Sequence, residues 1–144
     1  GPSYELEVQH RLAGYEEALN EAGREIDQTL IEHGDFSNTS GAEAMKRLLK
    51  KAPELDAVFI NSDLMAIAAM VAIREEGRHV PGDIAVIGYD DLSIAAHSNP
   101  PLTTIRQNIP LAGKVLAQNL IEYLQTGMVT NVSIPVELIL RKSA

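Results

Sequence analysis

Helical periodicity alternates along this chain with short apolar runs, and this alternation constrains the fold more than any other feature. Helical patterns cover residues 5–21, 42–51 and 64–76, and the last of these is apolar nearly all round, which predicts a largely buried helix. The runs at residues 57–60 and 84–87 have the length and bulk of buried strands. Because strands separated by helices of about 10 to 15 residues form βαβ units, the pattern predicts an α/β fold with an open parallel sheet.

Polar residues follow both apolar runs, at the point where each predicted strand ends. Residues 61–63 (Asn-Ser-Asp) follow the first run, and residues 88–91 (Gly-Tyr-Asp-Asp) follow the second. Parallel strands bring their carboxyl ends to one edge, where open α/β sheets bind ligands. Asp90 and Asp91 can accept hydrogen bonds from ligand hydroxyls or amines there, with Gly88 letting the backbone come close. Alternatively, the two aspartates begin the next helix.

Phe36 is one of only two phenylalanines, and it lies in a polar loop at residues 34–41. If the apolar run at residues 29–31 pairs as a further parallel strand, Phe36 joins the same edge of the sheet. It then either plugs the edge of the core or offers a flat stacking surface to a ligand. Ser40 stands three residues before Glu43, the spacing of a capping box, which predicts that a helix begins at this point.

The first helix contains two residues that its apolar pattern does not explain. Arg11 falls on the flank of the apolar face, either as a surface cation or as a planar fork that grips ligand hydroxyls or a carboxylate. Gly14 costs about 1 kcal/mol relative to alanine within a helix. That cost is understandable if the helix packs close to the sheet.

The last third of the chain combines a long helix with a final strand. The helix is predicted from Pro110, which suits the first turn, to Thr126, and Gly127 ends it. Residues 132–141 alternate apolar and polar side chains with a period of two. This alternation predicts a half-buried strand, and Pro135 places that strand at a sheet edge.

Composition excludes several classes of function. The chain of 144 residues has a hydrophobic content of 45%, enough for one core, and it contains no cysteine. Its four histidines lack metal-ligand spacing, so we expect neither a metal site nor a thiol nucleophile. The net charge is -8 and no basic cluster is present, so these residues offer no positively charged surface for nucleic acid. No apolar segment reaches the roughly 18 residues needed to cross a membrane.

Several linked motifs resemble the effector-binding core of the LacI/GalR-type transcriptional repressors, in order and at matching spacings along the whole chain. They are residues 11–15 (Arg-Leu-Ala-Gly-Tyr), 34–37 (Gly-Asp-Phe-Ser), 63–66 (Asp-Leu-Met-Ala), 88–91 (Gly-Tyr-Asp-Asp) and 100–107 (Pro-Pro-Leu-Thr-Thr-Ile-Arg-Gln). In that family, two Rossmann-like lobes, similar to periplasmic sugar-binding proteins, hold a small molecule between them and are joined by three crossing segments.

The resemblance also implies how the chain is divided. Residues 1–102 and 132–144 correspond to the second lobe without its first strand, and residues 103–131 to a crossing segment with a helix of the first lobe. The family places a helix-turn-helix domain, a hinge helix and most of the first lobe before the position of Gly1. We therefore expect a truncated product, with weak or no effector binding and an exposed apolar face on its last helix. A homodimer is the expected assembly.

Carried over one residue at a time, the family's cleft contacts fall on six positions: Arg11, Phe36, Ser62, Asp90, Gln107 and, as in some relatives, Glu5. Arg11 would contact effector hydroxyls, Phe36 would stack, and Asp90 would accept hydrogen bonds. Position 62 is often asparagine in relatives and is serine here. This chemistry suits a sugar, although a nucleobase or nucleoside uses the same groups. No cofactor is implied.

The function implied by the resemblance is effector-linked allostery in a cytoplasmic transcriptional regulator, whose operator DNA is bound by a helix-turn-helix domain absent from these residues. The alternative is a periplasmic sugar-binding protein that serves a transporter. An enzyme is not expected, since no Gly-x-Gly-x-x-Gly follows a strand and no nucleophile has an adjacent base.

Overall fold

Five α-helices and four strands make up the computed structural model, which describes residues 1–144. The helices are α1 (Leu6–Glu21), α2 (Asn38–Lys51), α3 (Asp63–Glu75), α4 (Ser93–His97) and α5 (Ile109–Thr126). The strands are β1 (Ala57–Phe59), β2 (Ala85–Asp90), β3 (Thr103–Gln107) and β4 (Val136–Ile139). A short 3-10 turn, Gln28–Leu30, lies between α1 and α2.

The strands form one open sheet in the order β1-β2-β3-β4. The first three strands are parallel, and β4 pairs with β3 in the antiparallel sense. Helices flank this sheet, so the predicted α/β class with a mostly parallel sheet is confirmed. The carboxyl ends of β1 and β2 meet at one edge because the two strands run in the same direction.

The core lies between one face of the sheet and the helices α2 and α3. Its largest fully buried apolar side chains are Met45, Met70, Ile73, Ile84, Val86 and Leu102. Met65 and Met70 are both buried there, as the interpretation of these methionines as core residues predicted. Gly41 brings the two helices together, since a Cβ atom at this position would lie 2.6 Å from the backbone Cα and O of Met65.

The predicted burial of both strands was too high. β1 is an edge strand with Ala57 and Phe59 exposed, so the prediction that it is buried was wrong. In β2, Val86 and Gly88 are buried against the helices, whereas the alternate residues are only half-buried. The reason is that α2 and α3 cover one face of the sheet and leave the other incompletely covered.

Three local predictions between residues 14 and 43 were also wrong. The run at residues 29–31 pairs with no strand, because the Asp27 carboxylate accepts hydrogen bonds from the N–H and the hydroxyl of Thr29 and stabilises the 3-10 turn. Ser37, not Ser40, caps α2, which begins at Asn38. Gly14 makes no close approach to the sheet, since nothing lies within 4 Å of a Cβ at this position.

The last helix and strand are the most exposed elements of the fold. α5 has no buried residue, and its apolar side chains Leu116, Leu120 and Leu124 are 70%, 59% and 75% exposed, as expected. β4 is an edge strand, as predicted, but Val136 and Leu138 are exposed rather than half-buried. Arg141, on the polar side of the predicted alternation, is instead half-buried. It donates hydrogen bonds to the backbone O of Leu102 and to Asp91 Oδ1.

The segment predicted to cross to another lobe begins inside the sheet. β3 pairs with both β2 and β4, so residues 103–107 belong to the same layer as the preceding strands. The chain leaves this layer only after Gln107, where Asn108 caps α5. No second lobe is present to show where the crossing segment begins, so the predicted division between residues 102 and 103 stays a prediction. None of the five helices is both long and apolar enough to cross a membrane.

Candidate functional site

A cavity of about 300 Å³ opens at the carboxyl ends of β1 and β2. It is lined by Glu7, Arg11, Phe36, Asn61, Ser62, Leu64, Asp90 and Leu92. These residues come from α1, from the loop before α2, from the last position of β2 and from the segments that follow β1 and β2. The cavity thus lies where open parallel sheets bind ligands.

Four of the six residues predicted from the sequence line this cavity: Arg11, Phe36, Ser62 and Asp90. Gln107 lies directly behind it, because its Nε2 donates a hydrogen bond to Asp90 Oδ1 at 2.9 Å. Glu5 precedes the first turn of α1 and does not line the cavity, whereas Glu7 does. Glu7 and Arg11 are four residues apart and share a helix face. The part that each residue plays in binding stays a prediction.

The guanidinium of Arg11 is held in place at the rim. Its Cζ lies 3.7 Å from the centroid of the Tyr89 ring, a cation-π geometry. Its Nη1 also donates a hydrogen bond of 2.9 Å to the backbone O of Asn61. Nε and Nη2 make no hydrogen bond within the chain. Arg11 is therefore not a free surface cation, and its role toward a ligand stays a prediction.

Phe36 contacts both the core and the cavity, and its stacking role toward a ligand stays a prediction. Its half-buried ring packs against the core cluster and also lines the cavity. Its φ of 68° is rare for an aromatic residue, and the neighbouring residues hold the loop in this conformation. Asp35 Oδ1 accepts a hydrogen bond from Ser37 N, and Ser40 Oγ accepts one from Asp35 N. Hydrogen bonds with Ser37 and Ser40 lower the pKa of Asp35 to about 2.

Asp90 presents its carboxylate to the cavity from the end of β2. Only Oδ1 is engaged, by Gln107, so Oδ2 is available to a ligand donor. Burial raises the pKa of Asp90, although the Gln107 hydrogen bond and the charge of Arg11 act in the opposite direction. The alternative that Asp90 and Asp91 begin a helix is wrong, since Leu92 occupies the N-cap of α4 and that helix has no side-chain cap.

Asp91 makes a double ion pair that the sequence analysis missed. Its Oδ2 accepts from Arg106 Nε and its Oδ1 from Arg141 Nη2, both at 2.6 Å. Burial alone would raise the pKa of Asp91, but the hydrogen bonds from the two arginines outweigh it and lower the pKa. Asp90 and Asp91 both have positive φ, at 114° and 55°. The ion pairs therefore hold an unfavourable backbone turn beside the cavity. Arg141 falls on the polar side of the final alternation, so no local pattern in the sequence signals this pairing.

Asp63 also stabilises the turn at Asp90 and Asp91, through the backbone of Leu92. This fully buried carboxylate accepts hydrogen bonds from Thr104 Oγ1 at 2.6 Å and from Leu92 N at 2.7 Å. Burial raises the pKa of Asp63. A Cβ at Gly88 would lie 2.5 Å from Asp63 Oδ1. Gly88 is thus needed for the close approach of this carboxylate, and its role beside a ligand stays a prediction.

Ser62 is buried at the start of α3. Its Oγ accepts the N–H of Met65 at 3.3 Å, so Ser62 rather than Asp63 is the N-cap of that helix. The hydroxyl hydrogen remains available for donation into the cavity. Ser62 therefore combines a structural hydrogen bond with a position in the cavity wall.

Comparison with known proteins gives consistent matches along the chain. A family model described as a periplasmic binding protein-like domain matches residues 5–144. The HTH-type transcriptional regulator CelR of Thermobifida fusca is 46% identical over 140 residues, which are 97% of this chain and 40% of that protein. The HTH-type transcriptional repressor CytR of Escherichia coli K12 is 38% identical over 107 residues, 74% of this chain and 31% of that protein.

Solved structures agree with these matches. A complex of the transcriptional regulator CelR with cellobiose superposes with a TM-score of 0.94 at 42% identity, covering 100% of this chain and 45% of that one. A dimeric Lac repressor with a C-terminal deletion gives a TM-score of 0.91 at 34% identity, covering 99% of this chain and 52% of that one. The chain thus spans 40% and 31% of the two curated relatives described above.

Proposed function

Because this chain belongs to the periplasmic binding protein-like family, among the LacI-family regulators, we propose that it forms one wall of the effector site of a sugar-responsive transcriptional regulator. The observation that carries the proposal is the convergence of Arg11, Phe36 and Asp90, which are far apart in sequence, on one cavity. Cellobiose is bound by the CelR relative, whose chain is 42% identical.

The three groups supply the complementary contacts that a sugar requires. The Phe36 ring offers an apolar plate to the C–H face of a pyranose. Asp90 Oδ2 accepts from a hydroxyl, and the free Nε and Nη2 of Arg11 donate to hydroxyl oxygens. A cavity of about 300 Å³ is at the lower end of the range for small-molecule sites and has room for one sugar ring on this wall.

For the whole protein we place operator binding outside residues 1–144. The relatives CelR and CytR are named as HTH-type regulators, and this chain carries a net charge of -8 that would repel DNA phosphates. An effector that favours one arrangement of the lobes would then shift the protein between DNA-binding states. These relatives are regulators rather than transport proteins or enzymes, which favours regulation over the transporter alternative.

The exposed helix α5 supports the proposed division of the chain. We assign residues 1–102 and 132–144 to one lobe and residues 103–131 to a segment that crosses to the other. A helix with three exposed leucines on one side, Leu116, Leu120 and Leu124, requires a packing partner. The proposed first lobe would supply that partner.

The proposed sugar site is tested by NMR titration of the isotopically labelled chain with cellobiose. We expect millimolar binding, because this chain supplies only one wall, with shift changes concentrated at the amides of Phe36, Ser62 and Asp90. Asp90→Asn removes a charged acceptor and should weaken binding about tenfold.

The control is Asp56→Asn, an exposed carboxylate before β1, which lies at the opposite end of that strand and should leave the affinity unchanged. Adenosine serves as a probe for the nucleoside alternative. Shift changes that avoid the cavity, or equal affinity in the Asp90→Asn variant, would contradict the proposed site.

We further propose that the chain forms a homodimer through α3 and α4. Leu64 and Val71 on α3 and Ile94 on α4 are exposed by 40%, 41% and 48%. Leu64, Ile67, Ala68 and Val71 follow the spacing of one helix face. Solved Lac repressors with 34% identity to this chain are described as dimers.

A charge placed on this face should dissociate the dimer. We expect Val71→Glu to weaken self-association at least tenfold, since an unpaired carboxylate would be buried at the interface. Sedimentation velocity over a range of concentrations measures the effect. The matched variant Leu120→Glu places the same charge on the exposed face of α5. If only Leu120→Glu dissociates the chains, the interface is on α5 and this proposal is wrong.

A further inference from the structure

Ser143 is a fully buried polar residue that follows β4. Its Oγ donates a hydrogen bond to the backbone O of Val86 at 2.6 Å and accepts one from the backbone N of Thr103 at 2.8 Å. Its own backbone O accepts a hydrogen bond from Val86 N at 2.7 Å. Ser143 therefore joins β2 to β3, although it belongs to neither strand.

The serine fills a gap between these two strands. β3 begins to pair with β2 only at Thr103, so it offers no residue to Val86. The preceding residue turns away, because Leu102 N donates to the backbone O of Ala95 instead. Without Ser143, the N–H and C=O of Val86 and the N–H of Thr103 would lose their partners in a fully buried part of the sheet. A hydroxyl that donates and accepts at once meets this need.

The segment of residues 141–143, which we call the C-terminal latch, is fastened to the start of β3 and the residues before it. Arg141 N donates a hydrogen bond to Thr103 Oγ1 at 2.9 Å. Lys142 N donates one to the backbone O of Pro101 at 3.0 Å. With the contacts of Ser143, these hydrogen bonds fix the backbone from which the Arg141 side chain projects.

That side chain reaches the turn of the proposed effector site. Arg141 Nη1 donates to the backbone O of Leu102 at 2.8 Å, and Nη2 donates to Asp91 Oδ1 at 2.6 Å. Asp91 follows the cavity residue Asp90, and both have positive φ. The turn that presents Asp90 thus depends on Arg141, and the place of Arg141 depends on the latch.

We propose that Ser143 is a positioning residue for the effector site. It holds the latch in the sheet, the latch holds Arg141 against Asp91, and the ion pair holds the turn from which Asp90 faces the cavity. This inference rests on the proposed effector site. Because Ser143 is fully buried between β2 and β3 and does not line the cavity, it acts through Arg141 and not on a ligand.

A double-mutant cycle tests the link between Ser143 and Asp91, which share no direct contact. Ser143→Ala removes the hydroxyl, and Asp91→Asn removes the partner of Arg141. The double variant should lose less stability than the two single variants lose together, since both changes disrupt the same ion pair. Chemical denaturation measures the three losses. If Ser143→Ala fails to fold, Ser143→Cys repeats the cycle, because a thiol is a weaker donor and acceptor of similar size.

The matched control cycle combines Ser143→Ala with Ser37→Ala. The second change removes the N-cap of α2, which shares no hydrogen-bond partner with the latch. The losses in this cycle should add. If the losses for Ser143 and Asp91 add as well, the serine supports the sheet independently of the turn and the proposal is overturned.

Ligand affinity separates positioning from stability. Under conditions where the chain is folded, Ser143→Ala should weaken cellobiose binding about threefold in an NMR titration, with changed amide shifts at Asp90 and Asp91. Leu48→Val, which removes volume from the core, is the destabilised control and should bind cellobiose as the wild type does.

Two binding results would also overturn the proposal. Unchanged cellobiose affinity in Ser143→Ala would mean that the latch does not position the site, even if the stability cycle shows coupling. A wild-type chain that binds no sugar refutes the effector site and this positioning role with it, and that failure is seen before any variant is made.

Discussion

Gly41→Ala should lower the free energy of unfolding by about 3 kcal/mol, which is a large effect for the addition of one methyl group. The new Cβ would lie 2.6 Å from the backbone Cα and O of Met65, so α2 and α3 would have to separate. Backbone atoms of a packed helix cannot move aside as a flexible side chain can. The core between these helices and the sheet would lose contacts along its length.

Gly14→Ala is the matched control, because it makes the same chemical change inside another helix. Nothing lies within 4 Å of a Cβ at this position, so the substitution adds helix propensity without a clash. It should stabilise the chain by up to about 1 kcal/mol. Chemical denaturation followed by circular dichroism measures both values. If the two variants shift stability in the same direction, the close contact between Gly41 and Met65 is absent from the folded chain.

Asp91→Asn should be the second strongly destabilising change, at about 3 kcal/mol near neutral pH. The substitution leaves the Arg141 guanidinium, whose side chain is 16% exposed, without its carboxylate partner. Arg106 loses its 2.6 Å partner as well. Asparagine tolerates the positive φ of this position, so the loss reports on the ion pairs rather than on backbone strain. The affinity for cellobiose should also fall, since the same turn positions Asp90.

The difference between wild type and Asp91→Asn should depend on pH. The folded-state pKa of Asp91 is lowered from its ordinary value of 3.8, so its contribution to stability is fully present above that pH. The contribution is lost as the pH falls through the folded pKa. Denaturation at a series of pH values should therefore show a gap that closes below about pH 3.8.

The control for charge alone is Glu43→Gln, which removes an exposed carboxylate of α2 and should have little effect at any pH. A gap between wild type and Asp91→Asn that stays constant down to strongly acidic pH would show that the ion pairs do not stabilise the fold.

The candidate site could be predicted in part because its position depends on local patterns. Apolar runs ending in polar residues, with a helix between them, place Ser62 and Asp90 at the same edge of a parallel sheet. Phe36 reached that edge although the strand expected before it did not form, because hydrogen bonds among Asp35, Ser37 and Ser40 shape its loop. Glu7 lines the cavity and Glu5 does not, because side chains two residues apart at the start of a helix point to different faces.

The sequence by itself determined the helices, the parallel sheet and the edge at which Phe36, Ser62 and Asp90 meet. These follow from periodicity and capping, which act over a few residues. Only the tertiary structure decided that β1 lies at an edge, which partners hold Asp91 and Asp63, and that the side-chain oxygen of Asn61 is left without a hydrogen-bond partner. Such pairings join residues up to 50 positions apart, as in Asp91 and Arg141. They depend on how the elements pack, and no local pattern records that.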